Sequence, residues 1–129
     1  RKRNKLEVKL RQLVRMQLQS HFGKTDAFNI VLDIYGTDRK NKYTSYDYVD
    51  LFDADKVTIY LTDLIKLITK YYDQVFKNIF GANKDETKVA LETINKYRSD
   101  AHAKNIESDE MEFFRVHISK IEKIVYDFI

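Results

Sequence analysis

Cysteine and proline are absent from this chain of 129 residues, and glycine occurs only three times. Without cysteine, the chain can form no disulfide framework, zinc–thiolate site or thiol nucleophile. An all-β fold needs many turn residues and an α/β fold needs more loop glycines than are present here. The composition therefore predicts an all-α fold, and the lack of cysteine suits a reducing compartment, which we expect to be the cytoplasm.

Long apolar runs are also missing from the sequence. No run approaches the roughly 18 residues that a membrane-spanning helix needs, and the start "RKRNKLEVKL" lacks the apolar core of a signal peptide. We therefore expect no membrane association. With 43% hydrophobic residues, residues 1–129 suit a single domain. Because the chain begins without Met and "IVYDFI" at its end still has a helical pattern, we expect this domain to belong to a larger protein.

Charge is unevenly distributed along the chain, although the net charge is only +3. Residues 1–24 hold eight basic residues and one acidic residue, whereas residues 25–55 hold seven aspartates and three basic residues. A basic first helix can attract phosphates and bind nucleic acid in a salt-dependent way. A solvated helix face is the commoner interpretation of such a charge run.

Apolar residues recur at three- and four-residue steps over most of the chain, which predicts amphipathic helices. The pattern predicts a first helix from a capping box at Asn4 and Glu7 to about His21, and a shorter helix capped by Thr25 or Asp26. It further predicts a central helix over residues 55–80, a helix capped near Asn83 that ends at Arg98, and a last helix from Ser108. With short connections these helices predict an antiparallel bundle of four to five helices.

Residues 37–55 form a polar, tyrosine-rich segment, "TDRKNKYTSYDYVDLFDAD", with weak periodicity. We interpret it as an excursion with one helical turn near Tyr46 to Phe52. Its tyrosines at 43, 46 and 48 have two possible roles. They can stack on bases or on a protein partner, or they can fasten a long loop to the domain, which is the more frequent role.

The chemically richest stretch is "INKYRSDAHAKNIESDE", which joins the last two predicted helices. Arg98 ends one helix, His102 lies in the link, and Asp100 stands between them. Histidine titrates near neutral pH and a guanidinium binds phosphate oxygens, so the pair suits metal-free cleavage of a phosphodiester. One pair is half of an acid–base couple, and a symmetry mate can supply the second half.

A structural interpretation of the same stretch stays open. Arg98 can cap the carbonyl end of its helix while His102 packs in the turn, bonded to Asp100 or to a backbone carbonyl. Asp63, an acid on the predicted central helix, is either a partner for Arg98 or a plain solvent-facing charge. The other histidines, His21 and His117, have no metal-ligand spacing, and we expect ordinary surface or half-buried side chains.

A helical bundle that carries "INKYRSDAHAK" before its final helix resembles the HEPN domain superfamily, and the "DAHAK" ending is similar to its Swt1-like and related bacterial branches. The resemblance covers most of the chain, and its specific part is about six residues long. It implies a HEPN-like bundle that acts as a metal-independent endoribonuclease, with no cofactor or metal and with the site shared across a homodimer. By this resemblance, Arg98 stabilises the phosphate, His102 is the general acid or base, and Ser99 or Asp100 fills the polar position between them.

The resemblance also implies partners and an alternative function. We expect RNA as substrate, a second copy of the chain, and a neighbouring domain or antitoxin within a bacterial defence, toxin or RNA-processing protein. The three residues between Arg98 and His102 are one fewer than the family's usual minimum. The alternative is therefore a non-catalytic HEPN-like module that dimerises or binds RNA or a nucleotide.

Overall fold

The computed structural model describes the backbone of residues 2–98 and 108–128 and the side chains of residues 5–97 and 112–128. Within these ranges every regular element is helical, which confirms the all-α prediction. The α-helices are α1 (Lys2–Phe22), α2 (Lys24–Tyr35), α3 (Thr37–Tyr43), α4 (Leu61–Lys70), α5 (Lys77–Phe80), α6 (Lys84–Arg98) and α7 (Ser108–Phe128). A 3-10 helix spans Tyr48–Phe52, and a π-helical segment spans Tyr72–Phe76.

The apolar stripes predicted from periodicity form one core. On α1, the buried residues follow the predicted three- and four-residue steps, and α4 contacts α1, α2 and α6 from the centre of the fold. On α7, Ile121 and Val125 complete the stripe that faces inward. The five predicted apolar positions of α1 that are fully buried are Leu6, Leu10, Leu13, Val14 and Leu18.

The starts of the first two helices differ from the prediction. Helix α1 begins at Lys2 and already contains Asn4, so the predicted capping box at Asn4 is wrong. Glu7 bonds instead to Arg11 one turn later, at 3.1 Å. Helix α2 begins at Lys24 and has no side-chain cap, because Gly23 precedes it with a φ of 84°.

The predicted central helix over residues 55–80 is wrong at its start. Helix α4 begins at Leu61, since the Asp63 carboxylate accepts a hydrogen bond from the Tyr60 amide at 2.7 Å and so caps the first turn. Just before α4 the burial of side chains alternates: Val57 and Ile59 are buried, whereas Thr58 and Tyr60 are exposed. An alternation of period two places every second side chain in the core, as in a strand.

The same predicted helix is also interrupted near its middle. After α4 the chain widens into the π-helical segment and continues as the short α5. The Tyr72 hydroxyl donates to the Gly81 carbonyl at 2.6 Å and lies 3.0 Å from the Thr87 hydroxyl. These bonds connect the irregular turn to the beginning of α6, where the Asn83 side chain accepts the Glu86 amide as the predicted cap.

The tyrosine-rich segment contains more helix than its sequence indicates. Its 3-10 helix agrees with the helical turn predicted near Tyr46 to Phe52. Helix α3 was not predicted, because its sequence "TDRKNKY" has no apolar periodicity. Gly36, with a φ of 90°, separates α2 from α3 and lets the chain change direction between them.

Candidate functional site

The predicted catalytic stretch begins where α6 ends. Arg98 is the last residue of α6, at the helix end that the sequence predicted. Ser99, Asp100 and His102 lie outside the described residues, in the link of residues 99–107 that leads to α7. Their roles, and that of the Arg98 side chain, stay predictions.

The two helices that flank this link form an antiparallel pair. Near the link, the buried ring of Tyr97 meets Phe114 edge to face, with 5.4 Å between the ring centroids. Near the other end of α6, Glu86 forms an ion pair with Lys120. Because Tyr97 immediately precedes Arg98, the end of α6 lies beside the Phe114 ring of α7.

Helix α7 exposes an apolar surface close to this end of the hairpin. Phe113 is 46% exposed and Val116 is 56% exposed, although both are large apolar side chains. His117 is half-buried, as expected, with its ring edge against Phe113 at 3.9 Å between centroids. Neither ring nitrogen of His117 has a hydrogen-bond partner in the described part of the chain.

Asp63 lies in a second polar site, which the sequence did not predict. Its side chain is buried and bonds to Arg39 in bidentate fashion, at 2.7 and 2.9 Å. The solvent-facing interpretation of Asp63 is therefore wrong, because the carboxylate is buried against Arg39. The side chain of Arg98 lies outside the described residues, so its partnership with Asp63 stays a prediction. Asp63 and Arg39 are 24 positions apart, and no spacing rule connects residues at that separation.

The Arg39 guanidinium lies between two tyrosine rings. Its central carbon is 4.5 Å from the ring centroid of Tyr35 and 5.2 Å from that of Tyr60. Its nitrogens also donate to the carbonyls of Tyr35 and Thr58, at 3.0 and 3.1 Å. The hydrogen bonds to Asp63 raise the pKa of Arg39 above its ordinary value. We call Arg39, Asp63, Tyr35 and Tyr60 the arginine corner.

The tyrosines of the 37–55 segment fasten that segment to the bundle. Tyr43 is buried, and its hydroxyl accepts the Thr58 amide, which lowers its pKa. Tyr48 is buried and donates to the Arg15 carbonyl at 2.7 Å, and burial raises its pKa. Tyr46 packs its ring on Tyr43. Since their rings serve the core, the fastening role is confirmed and the base-stacking alternative is wrong for Tyr43 and Tyr48.

Part of the positive charge of α1 is balanced within the chain. Arg11 and Arg15 line a groove of about 510 Å³ together with Asp50, Asp53 and Asp55. Arg11 is in addition paired with Glu7. This face of α1 is therefore a mixed-charge surface and is a poor site for a polyanion.

Two further observations concern the described residues as a whole. Among them, no three His, Asp or Glu side chains come together as metal ligands. None of the helices in those ranges is both long and apolar enough to cross a membrane.

Comparison of the chain with protein-family models, curated proteins and solved structures finds no match to any of them. Any statement about function consequently depends on the residues themselves and on the resemblance of the Arg98 to His102 stretch.

Proposed function

We propose that this chain is a HEPN-like domain that cleaves RNA without a metal, through a site that Arg98 and His102 of two copies form together. The observation that carries the proposal is the position of Arg98. It is the last residue of a helix that pairs antiparallel with α7, and the sequence "SDAH" follows it directly. An arginine at a helix end, followed by a histidine in the link to the last helix, is the pattern on which the family resemblance rests.

The chemistry requires two proton transfers and stabilisation of one anion. One histidine removes the proton of a ribose 2′-hydroxyl, whose oxygen attacks the neighbouring phosphorus while the bond to the 5′-oxygen breaks. A second histidine donates a proton to that leaving oxygen, and the products are a 2′,3′-cyclic phosphate and a 5′-hydroxyl. Arg98 stabilises the charge on the phosphate oxygens, with Ser99 or Asp100 in the polar position beside it.

The exposed apolar residues of α7 support the two-fold arrangement. Phe113 and Val116 lie in the half of α7 that follows the link, where a second copy has to approach to bring two motifs together. Large apolar side chains at a surface are typical of interaction sites when they occur side by side. In a bacterial defence, toxin or RNA-processing protein, the domain would supply the nuclease and a neighbouring domain or antitoxin its control.

One observation favours a second candidate function. Only three residues separate Arg98 from His102, and in a helix a shift of one position rotates a side chain by about 100°. Such a short spacing between the arginine and the histidine suits a HEPN-like module that dimerises or binds RNA or a nucleotide without cleaving it.

Cleavage can be tested with the purified chain and a single-stranded RNA in the presence of EDTA. We expect the native chain to produce fragments that end in 2′,3′-cyclic phosphate. His102→Ala should abolish cleavage while helicity and dimerisation persist. His21→Ala is the matched control, because His21 is an exposed histidine of α1 and should be dispensable for cleavage.

Three results would argue against the nuclease. Equal cleavage by the native chain and His102→Ala would remove His102 from the reaction. Products without a cyclic phosphate would contradict attack by the 2′-hydroxyl. Binding of RNA without any cleavage would support the non-catalytic module instead.

A further inference from the structure

A cluster of four lysines lies on the side of the fold where α2, α4 and α6 meet. Lys66 and Lys70 come from α4, and Lys84 and Lys88 come from the first half of α6. Together with Ile34 of α2 and Thr69 of α4, they line a shallow groove of about 360 Å³. We call this surface the lysine groove; its four lysines are exposed, and no acidic side chain of residues 5–97 or 112–128 lines it.

The charges of the lysine groove are not neutralised by ion pairs. Within residues 5–97 and 112–128, none of the four lysines pairs with a carboxylate. Lys70 lies 5.8 Å from the Tyr71 ring centroid and acts at a distance on Asp33, whose carboxylate is bonded to Lys40 at 2.7 Å. Three lysines elsewhere, Lys40, Lys56 and Lys120, each have a carboxylate partner.

The arrangement of these lysines is unfavourable for the isolated fold. Lys66 and Lys70 are four residues apart on one helix, as are Lys84 and Lys88, and like charges at that spacing repel. Lys84 also stands at the beginning of α6, where the helix dipole is positive. An anionic ligand in the groove removes both penalties, since each ammonium is a point charge suited to a phosphate oxygen.

We propose that the lysine groove binds the phosphodiester backbone of single-stranded RNA and delivers it to the site at the end of α6. The choice of RNA among polyanions rests on the proposed function. Helix α6 connects the two places, because Lys88 and Arg98 are ten residues apart, or about 15 Å along the helix axis. An RNA strand that follows α6 from the groove therefore arrives at the predicted motif.

The exposed charges of α6 between the lysine groove and Arg98 are of both signs. Glu92 is exposed one turn after Lys88, and Lys96 follows one turn after Glu92. The row of lysines on α6 is thus interrupted by one acid. We infer that the groove holds the strand mainly through phosphates, without reading bases, and that binding weakens steeply with salt.

The test measures binding of a fluorescent 2′-O-methyl RNA, which lacks the nucleophile and stays intact on the native chain. The groove variant is Lys66→Glu with Lys88→Glu, one substitution on each side of the groove. The matched control is Lys77→Glu with Lys123→Glu, two exposed lysines outside the groove, so both variants have the same net charge. Circular dichroism verifies that both variants keep the helical content of the native chain.

We expect the groove variant to bind RNA about tenfold more weakly at low salt, and the control to stay within about twofold of the native chain. The groove variant lacks two ammonium groups that would each hold a phosphate. The slope of log affinity against log salt should therefore fall by about 1.4, since each neutralised phosphate of a single strand contributes about 0.7. Equal weakening of binding in the two variants would overturn the proposal, because it would show a general charge effect.

Two further measurements separate this proposal from cleavage. If unmodified RNA is cut in EDTA but both variants bind the methylated RNA equally, the groove proposal fails and the nuclease stands. If the groove variant alone loses RNA binding and no RNA is cut, the groove stands and the nuclease fails. Displacement of the RNA by polyglutamate at equal charge concentration would overturn RNA as the ligand and point to an acidic protein segment.

Discussion

Helix α4 carries charge to two regions of this molecule that use it in opposite ways. At its first turn, Asp63 meets Arg39 in the arginine corner, where the acid is buried and each oxygen has a guanidinium partner. One and two turns later, Lys66 and Lys70 line the lysine groove, where none of the described acidic side chains faces them. Charge in the corner is therefore used in an internal ion pair, whereas the lysines of the groove have no carboxylate partner among the described residues.

The surroundings of the two regions explain this contrast. In the corner, the Asp63 carboxylate is buried and the Arg39 side chain, 19% exposed, lies against the rings of Tyr35 and Tyr60, so water screens this ion pair less than a fully exposed one. In the groove, the ammonium groups are exposed and water screens their mutual repulsion. Removal of one charged side chain should thus lower the free energy of unfolding in the corner but not in the groove.

The largest effect is expected from Asp63→Ala. The substitution leaves the Arg39 charge without its partner and removes the cap of α4 at the Tyr60 amide. We expect the free energy of unfolding to fall by about 3 kcal/mol, as for other broken buried pairs. Chemical denaturation measures this value. The control is Asp33→Ala, which breaks the exposed pair with Lys40 and should leave stability unchanged; equal effects of the two variants would contradict the comparison.

A smaller loss of stability is expected from Tyr35→Phe, which tests how much the Tyr35 hydroxyl supports the arginine corner. The Tyr35 hydroxyl donates to the buried carbonyl of Leu51, so its removal leaves that carbonyl without a partner. We expect a loss of about 1–2 kcal/mol in the free energy of unfolding. Tyr46→Phe is the control, because Tyr46 is half-buried and its loss of a hydroxyl should cost less than about 0.5 kcal/mol. A loss as large at Tyr46 would indicate that the corner has no special role.

Neutralising a lysine of the groove should raise the free energy of unfolding, in contrast to the two substitutions in the arginine corner. Lys84→Gln removes repulsion from Lys88 and from the positive end of α6. We expect the free energy of unfolding to rise by about 0.3–0.5 kcal/mol at low salt, with the gain disappearing in high salt. Lys120→Gln, which breaks the pair with Glu86, should show no such gain. A loss of stability in Lys84→Gln would show that this lysine serves the fold.

The smallest effect concerns pH and an exposed pair. The hydrogen bond from Lys120 lowers the pKa of Glu86 below its ordinary value of 4.5. Its contribution to stability is therefore complete above pH 4.5 and is lost as the pH falls through the lower pKa of the folded state. Carboxyl chemical shifts followed by NMR should show a lower pKa for Glu86 in the native chain than in Lys120→Ala. Identical titrations would refute the pairing.

Periodicity was sufficient for the large features of the fold. The apolar steps of α1 predicted its buried residues, and Asn83 was identified as the cap before α6 because an amide side chain commonly satisfies a free backbone amide there. The bounds of α6 and the start of α7 at Ser108 also agree with the prediction. Local signals of this kind act over one or two turns and need no knowledge of the rest of the chain.

Prediction failed where distant residues decide the local structure. The apolar run over residues 55–80 has helical steps throughout, yet α4 begins at Leu61 because its cap, Asp63, is held by Arg39 of α3. The steps also concealed the alternation at Val57 and Ile59, which is equally present in "KVTIYL". Helix α3 has no apolar stripe from which it could be predicted. The pair that Arg39, in the middle of α3, forms with Asp63 exists only in the folded chain.

The two candidate sites also differ in whether local sequence signals reveal them. The stretch from Arg98 to His102 is contiguous, so its chemistry and its place after a helix were apparent from the residues alone. The lysine groove was not apparent from the residues alone. Lys66 and Lys70 are four residues apart, as are Lys84 and Lys88, but no local pattern indicates that the two pairs share one surface.

Composition and apolar spacing were enough to predict an all-α fold, the main apolar stripes and the stretch that carries an arginine and a histidine at a helix end. These properties depend on composition and on contacts within a few turns. The pairing of Asp63 with Arg39 and the meeting of four lysines from two helices in one groove became apparent only in the folded chain. Both depend on how helices pack, since burial turns a separated acid and base into a pair and exposure leaves like charges together without one.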